Sequence, residues 1–135
     1  MYLLDTNIIS ELVRKKPSSR LVHRLARYEA ASLFTSVICI AELRLGVALR
    51  ADREPFWKRL EREILDRLRV LPFKLPEALL TGDLYAFQQR SGTLIGLPDL
   101  MISATALVND LVIVTANTRH FSRVPDLAVE NWLLD

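Results

Sequence analysis

At 135 residues the chain suits one domain that buries roughly two-thirds of the surface its unfolded form exposes. Its 50% hydrophobic and 25% charged content excludes a disordered chain, while a formal net charge of +2 is too small to mark a nucleic-acid binder by its sum alone. One cysteine, Cys39 in an apolar run, excludes an intramolecular disulfide and suits a reducing compartment, where it serves as a small buried hydrophobe.

Tyr2-Leu3-Leu4 reads as a short strand that stops at Asp5, with no charged leader before it. Nothing approaches the ~20 apolar residues needed to span a bilayer, so the chain reads as cytoplasmic. Ile8, Ile9, Leu12 and Val13 follow helical spacing until Arg14-Lys15-Lys16-Pro17 breaks it. A second helix starts at Ser18 or Ser19 and turns Leu21, Val22, Leu25 and Tyr28 inward, and Ser32 to Thr35 forms the second strand. Ser36 caps a helix holding Ile38, Leu45 and Leu49. From Pro55 to Leu68 runs the clearest amphipathic helix, with Phe56, Leu60, Ile64 and Leu68 four apart and an outer face of mixed charge. Val70 to Phe73 is a strand, and Glu77 to Gln89 a helix with Leu80, Leu84 and Phe87 on one side and a stop at Ser91-Gly92. Pro98 suits the first turn of a helix reaching Asn109. Leu111 to Val114 is an apolar strand, and Ala128-Val129 a last short one.

Strands alternating with helices predict an α/β three-layer sandwich, a central mostly parallel sheet of four to five strands covered on both faces. No repeat, low-complexity segment or long linker divides the chain, so residues 1–135 read as a single domain.

Three carboxylates stand near predicted helix starts in apolar surroundings: Asp5, Glu42 and Asp99. Open α/β sheets bind ligands at the carboxyl ends of their strands. Asp5 follows the first strand, Glu42 lies in the first turns after the second, and Asn117 follows Leu111 to Val114. Asp99 opens the helix that runs antiparallel into that last strand, so it shares the same edge; Asp110 falls at the opposite end. Each acid alone could be a cap or dipole partner worth about 0.3–1 kcal/mol. Gathered at about 4 Å, each pair would repel by about 4 kcal/mol at an effective dielectric of 20. Protons or a cation must relieve such a cluster, and an all-oxygen set suits Mg²⁺ or Mn²⁺ over Zn²⁺. His23 and His120 lack metal-ligand spacing, no glycine loop cradles phosphate, and no nucleophilic triad can be placed. The chemistry this set suits is metal-assisted attack on phosphate.

Four segments in order, Leu3-Leu4-Asp5-Thr6-Asn7, Ala41-Glu42-Leu43, Ile95-Gly96-Leu97-Pro98-Asp99 and Thr115 to Phe121, resemble those of PIN-domain ribonucleases, above all the VapC-type toxins of toxin–antitoxin systems. The resemblance implies a PIN-like fold and an endoribonuclease dependent on Mg²⁺ or Mn²⁺, usually a homodimer, inhibited by a cognate antitoxin. It implies that Asp5, Glu42 and Asp99 bind the metal, that Thr6, Asn7 and Thr115 lie beside it, and that the metal activates water for in-line attack. Many PIN domains carry a fourth acid where this chain has Asn117, so a second metal should be weak until substrate phosphate completes its site.

Basic residues near the first two helices, Arg14, Lys15, Lys16, Arg20, Arg24 and Arg27, can contact RNA phosphates or form a solvated face. Arg44 and Arg119, next to predicted site residues, are the candidates for substrate binding. Two other functions stay open on the residues. A haloacid-dehalogenase-like phosphohydrolase would use Asp5 as nucleophile, though Asn7 stands where its second Asp belongs. A non-catalytic RNA- or protein-binding module would account for the amide at Asn117.

Overall fold

The computed structural model describes residues 1–134. Its centre is β1 (Tyr2–Leu4), where Leu3 and Leu4 are buried on opposite faces, as strand alternation requires. β1 is followed by α1 (Thr6–Leu12), α2 (Ser19–Leu25), β2 (Leu33–Ser36), α3 (Val37–Ala48), α4 (Arg53–Glu63) and β3 (Arg69–Leu71). Then come α5 (Leu75–Ser91), α6 (Leu97–Val108), β4 (Val112–Val114), α7 (Thr118–Phe121) and β5 (Val129–Glu130). The five strands form one sheet in the order β3-β2-β1-β4-β5, and every pair is parallel. The expected mostly parallel sheet is therefore wholly parallel.

This order has a functional consequence. The chain leaves β1 toward β2 and β3, then returns to its other side with β4 and β5. The reversal lies between β1 and β4, the place where open α/β sheets leave a crevice beyond their strand ends. Tyr2, Leu3 and Leu4 pair with Val112, Ile113 and Val114, and the Asp5 N–H extends the ladder by donating to the Val114 carbonyl at 2.9 Å. Asp5 and Thr115 thus leave the sheet side by side.

One face of the sheet packs Leu4 and Val114 against Ile8, Ile9, Leu21, Leu43 and Leu60; the other packs Leu3 and Ile113 against Cys39, Ile102, Ala106 and Phe121. α5 lies on α6 as an outer layer, joined through Leu84, Ile95, Leu100 and Ala104. Fully buried Gln88 locks the turn between them. Its Oε1 accepts from the Ile95 N–H at 3.2 Å, and its Nε2 donates to the Arg123 carbonyl at 3.4 Å. Gly92 closes α5 in the left-handed conformation (φ 69°), and Gly96 (φ 103°) turns the chain into α6; both backbones favour glycine.

The structure changes several expected details. The helix predicted over Pro55–Leu68 ends at Glu63, and a 3₁₀ turn covers Leu65–Arg67. Leu65 lies one position off the Phe56–Leu60–Ile64 stripe, and the tighter turn carries it into the core. On α3 the buried row is Cys39, Leu43 and Val47, while Leu45 and Leu49 are 64% and 81% exposed. Both rows have helical spacing, so periodicity alone could not choose between them. Val22 and Phe87 also face outward. β3 starts one residue and ends two residues before its expected bounds, β5 lies one residue beyond its own, and the single turn α7 had no apolar pattern to announce it. Among the described residues no helix is long and apolar enough to cross a membrane.

Candidate active site

The fold brings the three predicted acids and the amide to one cavity. It measures about 510 Å³ and is lined by Asp5, Thr6, Asn7, Ser10, Glu11, Arg14, Glu42, Asp99 and Asn117. Asp5 is the N-cap of α1, Glu42 projects from the second turn of α3, and Asp99 is the third residue of α6. Asp110 sits at the far end of α6 with φ 55° and does not line the cavity.

Asp5 is the most constrained of these groups, at 4% exposure. Its Oδ1 accepts from the Thr6 N–H at 2.8 Å; its Oδ2 accepts from the Thr115 hydroxyl at 2.9 Å and the Asn7 amide at 3.2 Å. The Cys39 thiol lies 4.0 Å from Oδ1. Thr115, fully buried, gives its proton to Asp5 and accepts from the Asn117 N–H at 2.9 Å and Asn7 Nδ2 at 3.3 Å. Asn7 completes the network by accepting from the Ala116 N–H at 3.0 Å. Asn7 is thereby a bracket between the ends of β1 and β4. The second Asp of a haloacid-dehalogenase-like motif has no counterpart in it.

These hydrogen bonds stabilise the Asp5 carboxylate, yet burial outweighs them. Desolvation, reinforced by the charges of Asp99 and Glu42, pushes its pKa up to about 6. Among the described residues no cation forms an ion pair with Asp5 or Glu42. Glu42 instead accepts a 2.7 Å hydrogen bond from the Thr6 hydroxyl, so adjacent residues Asp5 and Thr6 tie α1 to β4 and α3.

The Asp99 side is more open. Burial again raises the carboxyl pKa, opposed by His120, whose Nδ1 lies 3.5 Å from Asp99 Oδ2. The same nitrogen is 3.0 Å from Asn117 Nδ2. His120 reaches this place because α7 makes one turn after Asn117, anchored by fully buried Phe121.

The donor set suits a hard divalent cation: carboxylate and amide oxygens around a partly desolvated, uncompensated charge. Among the described residues no three acids, histidines or cysteines close into a tight cage. That openness fits Mg²⁺, which keeps several waters and takes only one or two carboxylates. Asp5 and Asp99 could hold such an ion, with Glu42 and Asn117 within the same cavity.

Sequence reading did not place Ser10, Glu11 or Arg14 at the cavity, naming Arg14 only among the basic residues for RNA phosphates, and it set His120 aside for want of metal-ligand spacing. The first three follow Thr6 and Asn7 at helical i+4 and i+7 spacing, a signal available once α1 was assigned. His120 stands three residues after Asn117, but only the unannounced turn of α7 makes that spacing meaningful. Arg44 and Arg119, the expected substrate contacts, do not line the cavity. Arg44 lies over the Trp57 ring at 4.9 Å and 3.7 Å from Glu54, and Arg119 is exposed on α7. Proximity in sequence did not carry them into the cavity, because neighbouring helical positions point about 100° apart.

Comparison with known proteins agrees with this geometry. The PIN domain family matches residues 2–127. The chain is 38% identical to Toxin FitB of Neisseria gonorrhoeae, with 97% of each chain covered. It is equally identical to VapC ribonuclease Y4jK of Sinorhizobium fredii, with 98% of each covered. Among solved structures, VapBC2 from Rickettsia felis bound to a DNA fragment from their promoter superposes with a TM-score of 0.88 at 31% identity, covering 97% of this chain and 98% of that one. A parallel five-stranded sheet with an acid-lined crevice, and relatives alike over nearly their whole length, place the chain in the PIN domain family among the VapC-type toxin ribonucleases of toxin–antitoxin systems.

Proposed function

We propose that this chain is a divalent-metal-dependent endoribonuclease whose activity an antitoxin protein restrains. The observation that carries the reading is the Asp5–Glu42–Asp99 cavity, in which the most buried acid is held by hydrogen bonds and, among the described residues, by no Lys, Arg or His ion pair. The names of the relatives supply the substrate class: Y4jK is a VapC ribonuclease. The R. felis VapBC2 complex supports a partner protein for this chain as well.

Asp5, Asp99 and Glu42 would hold Mg²⁺ or Mn²⁺, which when bound supplies Lewis acidity for attack on a phosphodiester. Thr115 and Asn7 fix the Asp5 carboxylate against rotation, so its oxygens meet the cavity in one orientation. Glu42, held by the Thr6 hydroxyl, presents its other oxygen to orient or deprotonate a water. Arg14 lines both this cavity and an adjoining groove of about 550 Å³, where Lys15, Arg50 and Arg59 also sit. RNA phosphates would follow that basic groove away from the cleavage point, making binding weaken with salt. A surface groove between α5 and α6 lined by the exposed side chains of Tyr85, Leu94 and Leu97 is suited to self-association as a homodimer.

The test is RNA cleavage by purified protein with Mg²⁺ or Mn²⁺, with chelator, and with Asp99→Asn. Cleavage should need the cation and fall by about a thousandfold in Asp99→Asn, the scale of losing several kcal/mol of charge stabilisation. Cleavage that persists after chelation would sink the reading.

A further inference from the structure

We propose that His120 is a positioning residue that orients the Asn117 side chain so that its carbonyl oxygen, not its NH₂, faces the acidic cavity; this rests on the cation-dependent reading above. An aspartate presents two like oxygens and needs no such help. An asparagine presents unlike ends, and only Oδ1 can serve a cation or a water bound to it. The Asn117 backbone is already fixed, its N–H donating to Thr115 Oγ1 at 2.9 Å and its carbonyl accepting from the Phe121 N–H at 3.4 Å. What remains free is the rotation that exchanges Oδ1 and Nδ2.

His120 settles that rotation. Its Nδ1 lies 3.0 Å from Asn117 Nδ2, and an NH₂ group can only donate, so Nδ1 must present its lone pair and carry its proton on Nε2. The competing partner of Nδ1 is Asp99 Oδ2, at a longer 3.5 Å. One nitrogen cannot accept from the amide and donate to the carboxylate together. With Asp99 committed to a cation, that oxygen is a poorer acceptor and the amide keeps the imidazole. His120 touches the cavity only through Asn117 and Asp99, and it does not line the cavity itself. It therefore acts through another residue.

The experiment is calorimetric titration of the metal-free full chain with Mn²⁺ at pH 7.5, for wild type, His120→Ala, His120→Asn, Asn117→Asp and the double variant Asn117→Asp/His120→Ala, with circular dichroism to confirm folding. Loss of a group that orients a ligand typically weakens metal affinity 10–100-fold, so His120→Ala should bind about tenfold more weakly. His120→Asn places an amide oxygen where Nδ1 stood and should recover affinity to within about threefold of wild type, leaving only part of that penalty. In the Asn117→Asp background, where orientation no longer matters, removing His120 should change affinity by less than about twofold, as sites that no longer interact add without coupling. Equal affinity of wild type and His120→Ala, or the same loss in both backgrounds, would overturn the assignment. If His120→Ala does not fold, His120→Leu, which fills the ring's space without an acceptor, replaces it in both backgrounds with the same expected and overturning outcomes. Wild type that binds no Mn²⁺ would instead end the cation-dependent reading on which the assignment stands.

Discussion

The two sides of the cavity are built on opposite principles. Around Asp5 every polar atom has a fixed partner: Thr6, Asn7 and Thr115 give it three hydrogen bonds, and Thr115 and Asn7 are themselves satisfied by the backbone beyond β4. Around Asp99 a single imidazole nitrogen stands 3.0 Å from the Asn117 amide and 3.5 Å from the carboxylate and can bond only one of them, and the carboxylate remains half-buried. The Asp5 side derives from strand ends, which the sheet holds rigidly. The Asp99 side derives from the start of α6 and the one-turn α7, which pack on the sheet through Ile102, Ala106 and Phe121 rather than leaving it as strand ends. A charge buried in a rigid network cannot relax by moving, so its relief must come from a proton or a cation.

That contrast can be broken from either side. The largest effect belongs to Asp5→Asn, expected to lower cleavage by about a thousandfold through loss of cation charge stabilisation. The same change removes a desolvated charge, so without cation at pH 7 its melting temperature should rise by a few degrees. A steep fall in melting temperature would show Asp5 to be a structural cap and little more. Thr115→Val comes next, with a loss of about 10–100-fold in cleavage, the range for a group that orients a metal ligand. Because the Thr115 hydroxyl lowers the Asp5 pKa, removing it should move that pKa further above about 6, readable by carboxyl-carbon NMR titration.

pH dependence has a definite sign. The Asp5 pKa lies near 6 in the folded chain against 3.8 for an ordinary aspartate, so between these values the folded state holds the proton more tightly than the unfolded one. The stability this contributes is full below about pH 4, falls as pH rises to about 6, and amounts to on the order of 2–3 kcal/mol. Asp99, also raised, acts in the same direction. Denaturation of metal-free protein from pH 4 to 7 should show the decline, and Asp5→Asn should flatten it; an unchanged slope in the variant would place the titration elsewhere. The smallest effect is expected for Arg44→Ala and Arg119→Ala, whose side chains do not line the cavity. Each should alter RNA cleavage by less than about threefold, within the modest range of exposed charges, and a large loss would move the RNA path onto α3 or α7.

The sheet edge was legible in the sequence because strand direction is a long-range constraint that short motifs reveal. Asp5 ends one apolar run and Asn117 follows another, and parallel pairing puts both at the same end. Asp110 was separable from Asp99 by the same logic. Helix faces were less legible. α3 has two apolar rows at helical spacing, and only the packing of Cys39, Leu43 and Val47 decides which is inside. His120 escaped for a related reason: α7 is one turn long, too short for periodicity, and its register depends on Phe121 reaching the core. Arg44 shows the converse, since its position two residues from Glu42 did not reveal that its side chain lies over Trp57 and outside the cavity.

The central claim is that Asp5 and Asp99, though differently built, share one divalent cation. Its most direct test is the melting temperature of the wild-type chain and of Asp5→Asn and Asp99→Asn across a Mg²⁺ series at pH 7. Wild type should gain about 2.7 kcal/mol of stability at a hundred times the dissociation constant. Both variants should lose most of that gain. A gain that survives intact in either variant, or its absence in wild type, would contradict the claim.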